Sequence, residues 1–279
     1  MKRTSLLILI AALSWHSCTD EDAGENIEPR LVVEAFITSD TTVHKVYLSK
    51  SFSIGQDSIK TISGADVWIS DDEGNRVAFT EMTGAAEGIY FSPPGFFIRA
   101  GKKYQLHIDL DEPVNGYTSY TAESMSSYTN PIDSVKLKFH PTWGENGVYE
   151  VQCFYQDPAT HEFYMSDILV NQDLVTYPLT GKIVVEDALF NGSYAYGIAA
   201  GFLDQAVPSE QINAGDTVTL QLSVIDEKFA KFIWGVQEEA GLDNPFFGNP
   251  AANVYSNINN GAIGYFACCY VTRSSVILY

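Results

Sequence analysis

The 279-residue sequence predicts a mainly β protein: an N-terminal immunoglobulin-like β-sandwich, then a second antiparallel β domain that carries one amphipathic helix. Three observations predict it. Apolar residues recur at every second position along most of the chain, the period at which strand side chains return to one face. Gly, Asn, Asp and Pro interrupt that alternation at short intervals, as turns do. A composition that is 46% apolar and 13% aromatic, with only 18% charged residues, supplies a large core and excludes intrinsic disorder.

The elements follow in chain order. Lys2 and Arg3 precede an apolar run from Leu6 to Leu13, which has the length of a signal-peptide core and is too short to span a membrane. Ser17 and Cys18 end the run and resemble a lipoprotein signal-peptidase site, so residues 1–17 read as a lipoprotein signal peptide with Cys18 as the lipid acceptor. Trp15 and His16 depart from the usual small and aliphatic residues there, and an ordinary secretory cleavage site is the alternative. Residues 18–27 read as an acidic tether. Asp20, Glu21 and Asp22 resemble the export signal that Bacteroidetes lipoproteins carry after the acylated cysteine, which implies the outer leaflet of the outer membrane, facing the cell exterior.

The first domain is expected over residues 28–127. Leu31, Val33, Ala35 and Ile37 alternate with Val32, Glu34, Phe36 and Thr38, and Ala65, Val67 and Ile69 alternate with Asp66, Trp68 and Ser70. Asp71-Asp72-Glu73-Gly74-Asn75 reads as a hairpin turn, because Gly and Asn tolerate positive φ, and Val77 and Phe79 resume the pattern. A turn at Glu87-Gly88 leads into Ile89-Tyr90-Phe91; Pro93-Pro94-Gly95 forces a loop before the strand marked by Tyr104, Leu106, Ile108 and Leu110.

The polar stretch from Ser124 to Asn130 places a boundary before a second domain over residues 128–279. Val135-Leu137-Phe139, Tyr149-Val151-Cys153-Tyr155 and Val218-Leu220-Leu222-Val224 keep the period of two. Phe229, Phe232, Ile233, Val236 and Ala240 switch to helical spacing, which predicts a helix near residues 227–240 with Asp226 as N-cap and Gly241 at its end. A Gly- and Asn-rich loop from Phe246 to Gly264 then precedes a final strand over residues 265–279.

Chemistry is sparse. A formal charge of -19 without any run of Lys or Arg excludes a nucleic-acid partner. Removing residues 1–17 takes Lys2 and Arg3 and no acid, which leaves 14 basic against 35 acidic side chains, so the acidity belongs to the mature chain. The five histidines, at 16, 44, 107, 140 and 161, show no metal-binding spacing, and His107 reads as a solvent-facing strand residue. Neither GxSxG, P-loop nor GxGxxG occurs in context, so no catalytic residue, cofactor or metal is assigned. The acidic runs at Asp71 and at Asp109-Leu110-Asp111-Glu112 lack the spacing of a calcium loop and read as a turn and a strand end. A spatial pair of carboxylates for glycoside hydrolysis stays open.

Cys268 and Cys269 are adjacent in a strand and point to opposite faces, so at most one can pair with Cys153. The preferred reading is three buried thiols, with a Cys153 bridge as the alternative. Exposed aromatic rings stack on sugars or anchor partners, which makes Trp68, Trp143, Phe246 and Phe247 the candidate binding surface.

Leu31-Val32-Val33-Glu34-Ala35-Phe36-Ile37-Thr38, Ser63-Gly64-Ala65-Asp66-Val67-Trp68-Ile69, Ser256-Asn257-Ile258 and Gly261-Ala262-Ile263-Gly264-Tyr265-Phe266 resemble a Bacteroidetes lipoprotein family catalogued as domain of unknown function 4249. Ala35 stands where that family leads us to expect a glycine. The resemblance implies an outer-membrane lipoprotein, often encoded beside TonB-dependent transporters, and an accessory role in import or surface binding. Its partners would be membrane lipid through Cys18, such a transporter and a nutrient ligand. The alternatives are a carboxylate-based degradative enzyme of the same system, or an adhesive or structural envelope protein.

Overall fold

A computed structural model describes residues 28–51, 60–82, 84, 87–176, 179–241 and 254–279; Cys18, Asp20, Glu21, Asp22, Phe246 and Phe247 lie outside the described residues. The protein is mainly β, with large antiparallel sheets that do not close into a barrel, and with one α-helix among the described residues.

The N-terminal strands are β1 (Leu31–Thr38), β2 (Lys45–Lys50), β3 (Lys60–Thr61), β4 (Asp66–Asp71), β5 (Arg76–Glu81), β6 (Ile89–Phe91), β7 (Lys103–Val114) and β8 (Tyr117–Met125). β1, β2 and β6 form one sheet and β5, β4, β7 and β8 another, joined at the short β5–β6 pairing. The period of two decides what lies between them: Leu31, Val33, Ala35 and Ile37 of β1 are buried against Val67 and Ile69 of β4 and Leu106 and Ile108 of β7. Two large phenols sit in this core with their hydroxyls satisfied, Tyr90 donating to the Ile62 carbonyl (2.9 Å) and Tyr120 to that of Val114 (2.5 Å). The β4–β5 hairpin turns at the expected residues. Asp71 Oδ1 accepts the amides of Glu73 (3.0 Å) and Asn75 (2.9 Å), and Gly74 takes φ +86°.

Beyond residue 128 come β9 (Ser134–His140), β10 (Val148–Gln156), β11 (Phe163–Val170), β12 (Asp173–Leu174), β13 (Ile183–Glu186), β14 (Tyr194–Asp204), β15 (Thr217–Ile225), α1 (Glu227–Gly241) and β16 (Ile263–Ile277). The sheet β14-β10-β9 covers one face of β11 and β15, with Val151, Cys153, Tyr164, Ile168, Leu220 and Leu222 in the core. α1 covers the opposite face, where Phe229, Ala230 and Ile233 meet Met165, Ile225 and Tyr265. With both faces covered, β11 is buried at every position from Phe163 to Ile168. The helix begins as expected: Asp226 Oδ1 accepts the Phe229 amide (2.7 Å) and the Tyr265 hydroxyl (2.9 Å).

β16 ties the two halves together. Its first seven residues run parallel to β1, from Val32↔Ile263 to Thr38↔Cys269, and its remainder pairs antiparallel with β15, from Val224↔Tyr270 to Thr217↔Ile277. The first core therefore takes Ile258, Ala262, Phe266 and Cys268 from the far end of the chain. Close approach at the parallel pair requires Gly264: at φ +101°, a Cβ would lie 1.9 Å from the Val33 carbonyl oxygen. Asn257 and Asn259 clip this end to β8, through Asn257 Nδ2 to the Glu123 carbonyl (2.9 Å) and the Thr121 amide to Asn259 Oδ1 (2.8 Å).

The three thiols end in three different cores. Cys153 of β10 faces the core between its sheet and β11–β15, Cys268 lies between the N-terminal sheets and Cys269 beneath α1, so all three are unpaired and no Cys153 bridge forms. Burial pushes the Cys153 thiol up to about 12 and those of Cys268 and Cys269 well above their ordinary value.

Candidate functional site

Because the sheet runs without a break as β12-β11-β15-β16-β1-β2, it offers one wide face, and α1 covers only part of it. Beside the helix lies a cleft of about 670 Å³. Phe36 of β1, Met165 and Leu169 of β11, Tyr265 of β16, and Phe229, Phe232 and Val236 of α1 make it apolar. The rings pack on one another, Phe229 at 4.7 Å from Tyr265 and Phe232 at 5.4 Å, which holds the wall rigid. Leu179 and Thr180 close one side on a 3-10 turn, and Gln237 Nε2 of α1 clips that turn by donating to the Leu179 (2.9 Å) and Lys182 (2.8 Å) carbonyls.

Strand register lays a polar row across this face. Asp167 of β11 stands opposite Gln221 of β15, and Gln221 opposite Arg273 of β16. Lys182 pairs with Asp167 Oδ1, which also accepts the Thr176 hydroxyl (3.0 Å), while Gln221 Nε2 donates to Asp167 Oδ2 (3.3 Å). Arg273 donates to Gln221 Oε1 and grips Asp40 with two bonds of 2.6 Å. The Lys182 and Asp167 side chains are only 9% and 4% exposed, so this pair has given up most of its hydration and is held by its partners. His44, at the other side of the cleft, accepts the Thr38 amide at Nδ1 (3.5 Å) and donates from Nε2 to the Asp40 carbonyl (3.1 Å). Burial holds its pKa below the usual histidine value, against the opposing pull of the Asp40 carbonyl.

The sequence-predicted aromatic surface does not coincide with this cleft. Trp68 lies on the outer face of β4, flanked by the His107 ring of β7 (4.8 Å, nearly parallel) and the Arg76 guanidinium of β5 (3.9 Å). His107, on the same outer face between buried Leu106 and Ile108, is half-covered there by its stack on Trp68, and its Nε2 lies 3.1 Å from Ser70 Oγ. Trp143, in the β9–β10 turn, is 46% exposed and stacks on His140 (3.8 Å), whose Nε2 lies 2.6 Å from Glu150 Oε2. Neither tryptophan lines the cleft. The cleft residues Asp167, Lys182 and Gln221 went unassigned in the sequence. Asp167 sits within a strand buried at six consecutive positions, where polar residues carry no alternation signal, and its partner Gln221 arrives from a separate strand.

No curated protein matches the chain. A solved structure of a DUF4785 family protein from Legionella pneumophila subsp. pneumophila str. Philadelphia 1 shares 12% identity over 70% of this chain, at a TM-score of 0.26. The matched part spans about half of that protein, 52% of its length. The model of the family described as "Domain of unknown function (DUF4249)" matches residues 19–275, so the chain belongs to the DUF4249 family.

Proposed function

We propose that this chain is a non-catalytic, lipid-anchored protein of the outer-membrane surface that binds a small, largely apolar molecule in the cleft beside α1, as an accessory of a TonB-dependent uptake system. The cleft carries the reading. Its 670 Å³ falls within the ~300–1,000 Å³ range of small-molecule sites, and an apolar wall with a few convergent polar groups is their usual make-up. A ligand with an apolar body and a polar end would meet Phe36, Phe229, Phe232 and Tyr265 along its length and the Lys182–Asp167 row at its end. The reading as a binding protein draws support from Asp167, whose two oxygens are committed to Lys182, Thr176 and Gln221, which leaves it unsuited to take a proton from a substrate. The lipid anchor rests on the basic and apolar start of the chain and on Cys18, and the family match begins at the next residue. We also retain the immunoglobulin-like description of the N-terminal sandwich as part of this proposal, with the two packed sheets as its support.

Two measurements test it. Titration with an anilinonaphthalene sulfonate dye, which has an apolar body and an anionic end, should saturate at one dye per chain and be lost in Thr180→Trp, which fills the mouth of the cleft from an exposed position. Equal binding by both proteins would refute the cleft as the site. Palmitate should label the wild-type chain in its own membranes and not Cys18→Ala; persistent labelling of the variant would refute the anchor.

A further inference from the structure

A second polar cluster lies away from the cleft, on the connectors at one end of the C-terminal strands. Asp157 and Glu162 lie in the β10–β11 connector, and Asp187 follows β13. Pairing of β11 with β13, Phe163↔Glu186 at its end, draws the three carboxylates together until one oxygen from each lies within 4.8 Å of the others. All three are buried, with exposures of 2%, 7% and 0%. Asp157 is fixed by donors on both oxygens: Tyr164 (2.7 Å) and Tyr155 (3.2 Å) at Oδ1, and the Gly192 amide (3.0 Å) at Oδ2. Asp187 Oδ2 accepts the Glu162 amide (3.0 Å). Glu162 Oε2 and Asp187 Oδ1 are different: both are buried and neither meets a hydrogen-bond donor. Among the described residues no Lys or Arg pairs with any of the three, and the nearest basic group, His161, stands 3.9 Å from Asp187 Oδ1 while bonded at 2.7 Å to Glu186.

We propose that Asp157, Glu162 and Asp187 hold one calcium ion that clamps the β10–β11 connector to the segment after β13. Carboxylates confined in this way repel one another and lack solvent to screen them, and a divalent cation at their centre reverses the sign of that interaction. The span of 4.8 Å is what an ion bridges when its oxygens lie about 2.4 Å away, the calcium distance. A ligand set made only of oxygen selects a hard cation over zinc or copper. Near-complete burial favours calcium over magnesium, because magnesium gives up its water reluctantly and the site requires the ion to exchange much of its shell. Sequence spacing did not point here, since ligands at 157, 162 and 187 follow no single-loop motif.

The test is calorimetric titration of calcium chloride into the full chain stripped with chelator, with Glu162→Gln and Asp187→Asn beside it. One calcium per chain should bind, and at calcium about 100-fold above its Kd the melting midpoint should rise by about 5 to 10 °C. Both variants should lose the heat of binding, and Glu112→Gln, at an exposed position near the end of β7, should retain it. If a variant fails to fold, terbium luminescence in the wild-type chain decides instead: emission excited through the adjacent tyrosines and displaced by calcium is expected, and it should fall in Tyr164→Phe. No calcium uptake at millimolar concentration would overturn the proposal, as would uptake unchanged in both variants or magnesium binding as tight as calcium.

Discussion

Replacing Gly264 by alanine tests how the last strand joins the first. The added Cβ would stand 1.9 Å from the Val33 carbonyl oxygen and 2.9 Å from its carbon, and both are backbone atoms that no side-chain rotation can move. Relief requires β1 and β16 to separate locally, which weakens two or three ladder hydrogen bonds around Val33↔Gly264 at about 1 kcal/mol each. Holding alanine at φ +101° adds about 1 to 2 kcal/mol. The expected loss is about 4 kcal/mol, a large part of the ~5–15 kcal/mol that stabilises a typical domain. Gly74→Ala is the control, because it sits at φ +86° with nothing within 4 Å of the added carbon and should lose only the conformational part, about 1 to 2 kcal/mol. Urea denaturation followed by circular dichroism measures both. If the two variants fall within about 0.5 kcal/mol of each other, the close parallel approach of β1 and β16 is not what requires glycine at 264.

Other substitutions probe the cleft and the helix. Lys182→Ala leaves Asp167 charged and buried and should destabilise the chain by about 3 to 5 kcal/mol, whereas the double change Lys182→Met with Asp167→Leu should recover most of that in the same urea measurement. Asp226→Ala removes both the N-cap acceptor of α1 and the partner of the Tyr265 hydroxyl, an expected loss of about 2 kcal/mol, read from the denaturation midpoint. His44 has a folded-state pKa below its unfolded value, so the unfolded chain binds the extra proton and stability should fall as pH drops below about 6.5, by at most ~1.4 kcal/mol per pH unit. His161, whose proton Glu186 favours, acts with the opposite sign. The slope is therefore read as the difference between wild type and His44→Gln from pH 7.5 to 5.5, and identical slopes would refute the assignment.

Strands with one wet face were legible in the sequence. β1, β4 and β7 announce themselves because Leu31, Val67 and Tyr104 belong to apolar rows of period two, β15 keeps that period although both its faces are covered, and the helix shows because Asp226 and Phe229 mark its first turn. β11 did not, since a strand covered on both faces has no reason to alternate, and β14 was missed along with it. The pairing of β16 with β1 was equally hidden, being a contact between residues more than two hundred positions apart. That is why the cleft escaped notice: Phe36, Asp167, Lys182, Phe232 and Tyr265 share a wall only once β16 has joined the two halves into one sheet. Aromatic content pointed instead to Trp68 and Trp143, whose rings are already engaged by His107, Arg76 and His140.

Native mass spectrometry of the chain purified from the cells that make it tests the ligand-binding claim most directly. Wild type should carry a single small molecule at one per chain, and Thr180→Trp, with the cleft mouth filled, should show the bare protein mass. Bare mass in the wild type, or the same adduct in both proteins, would contradict a ligand held beside α1.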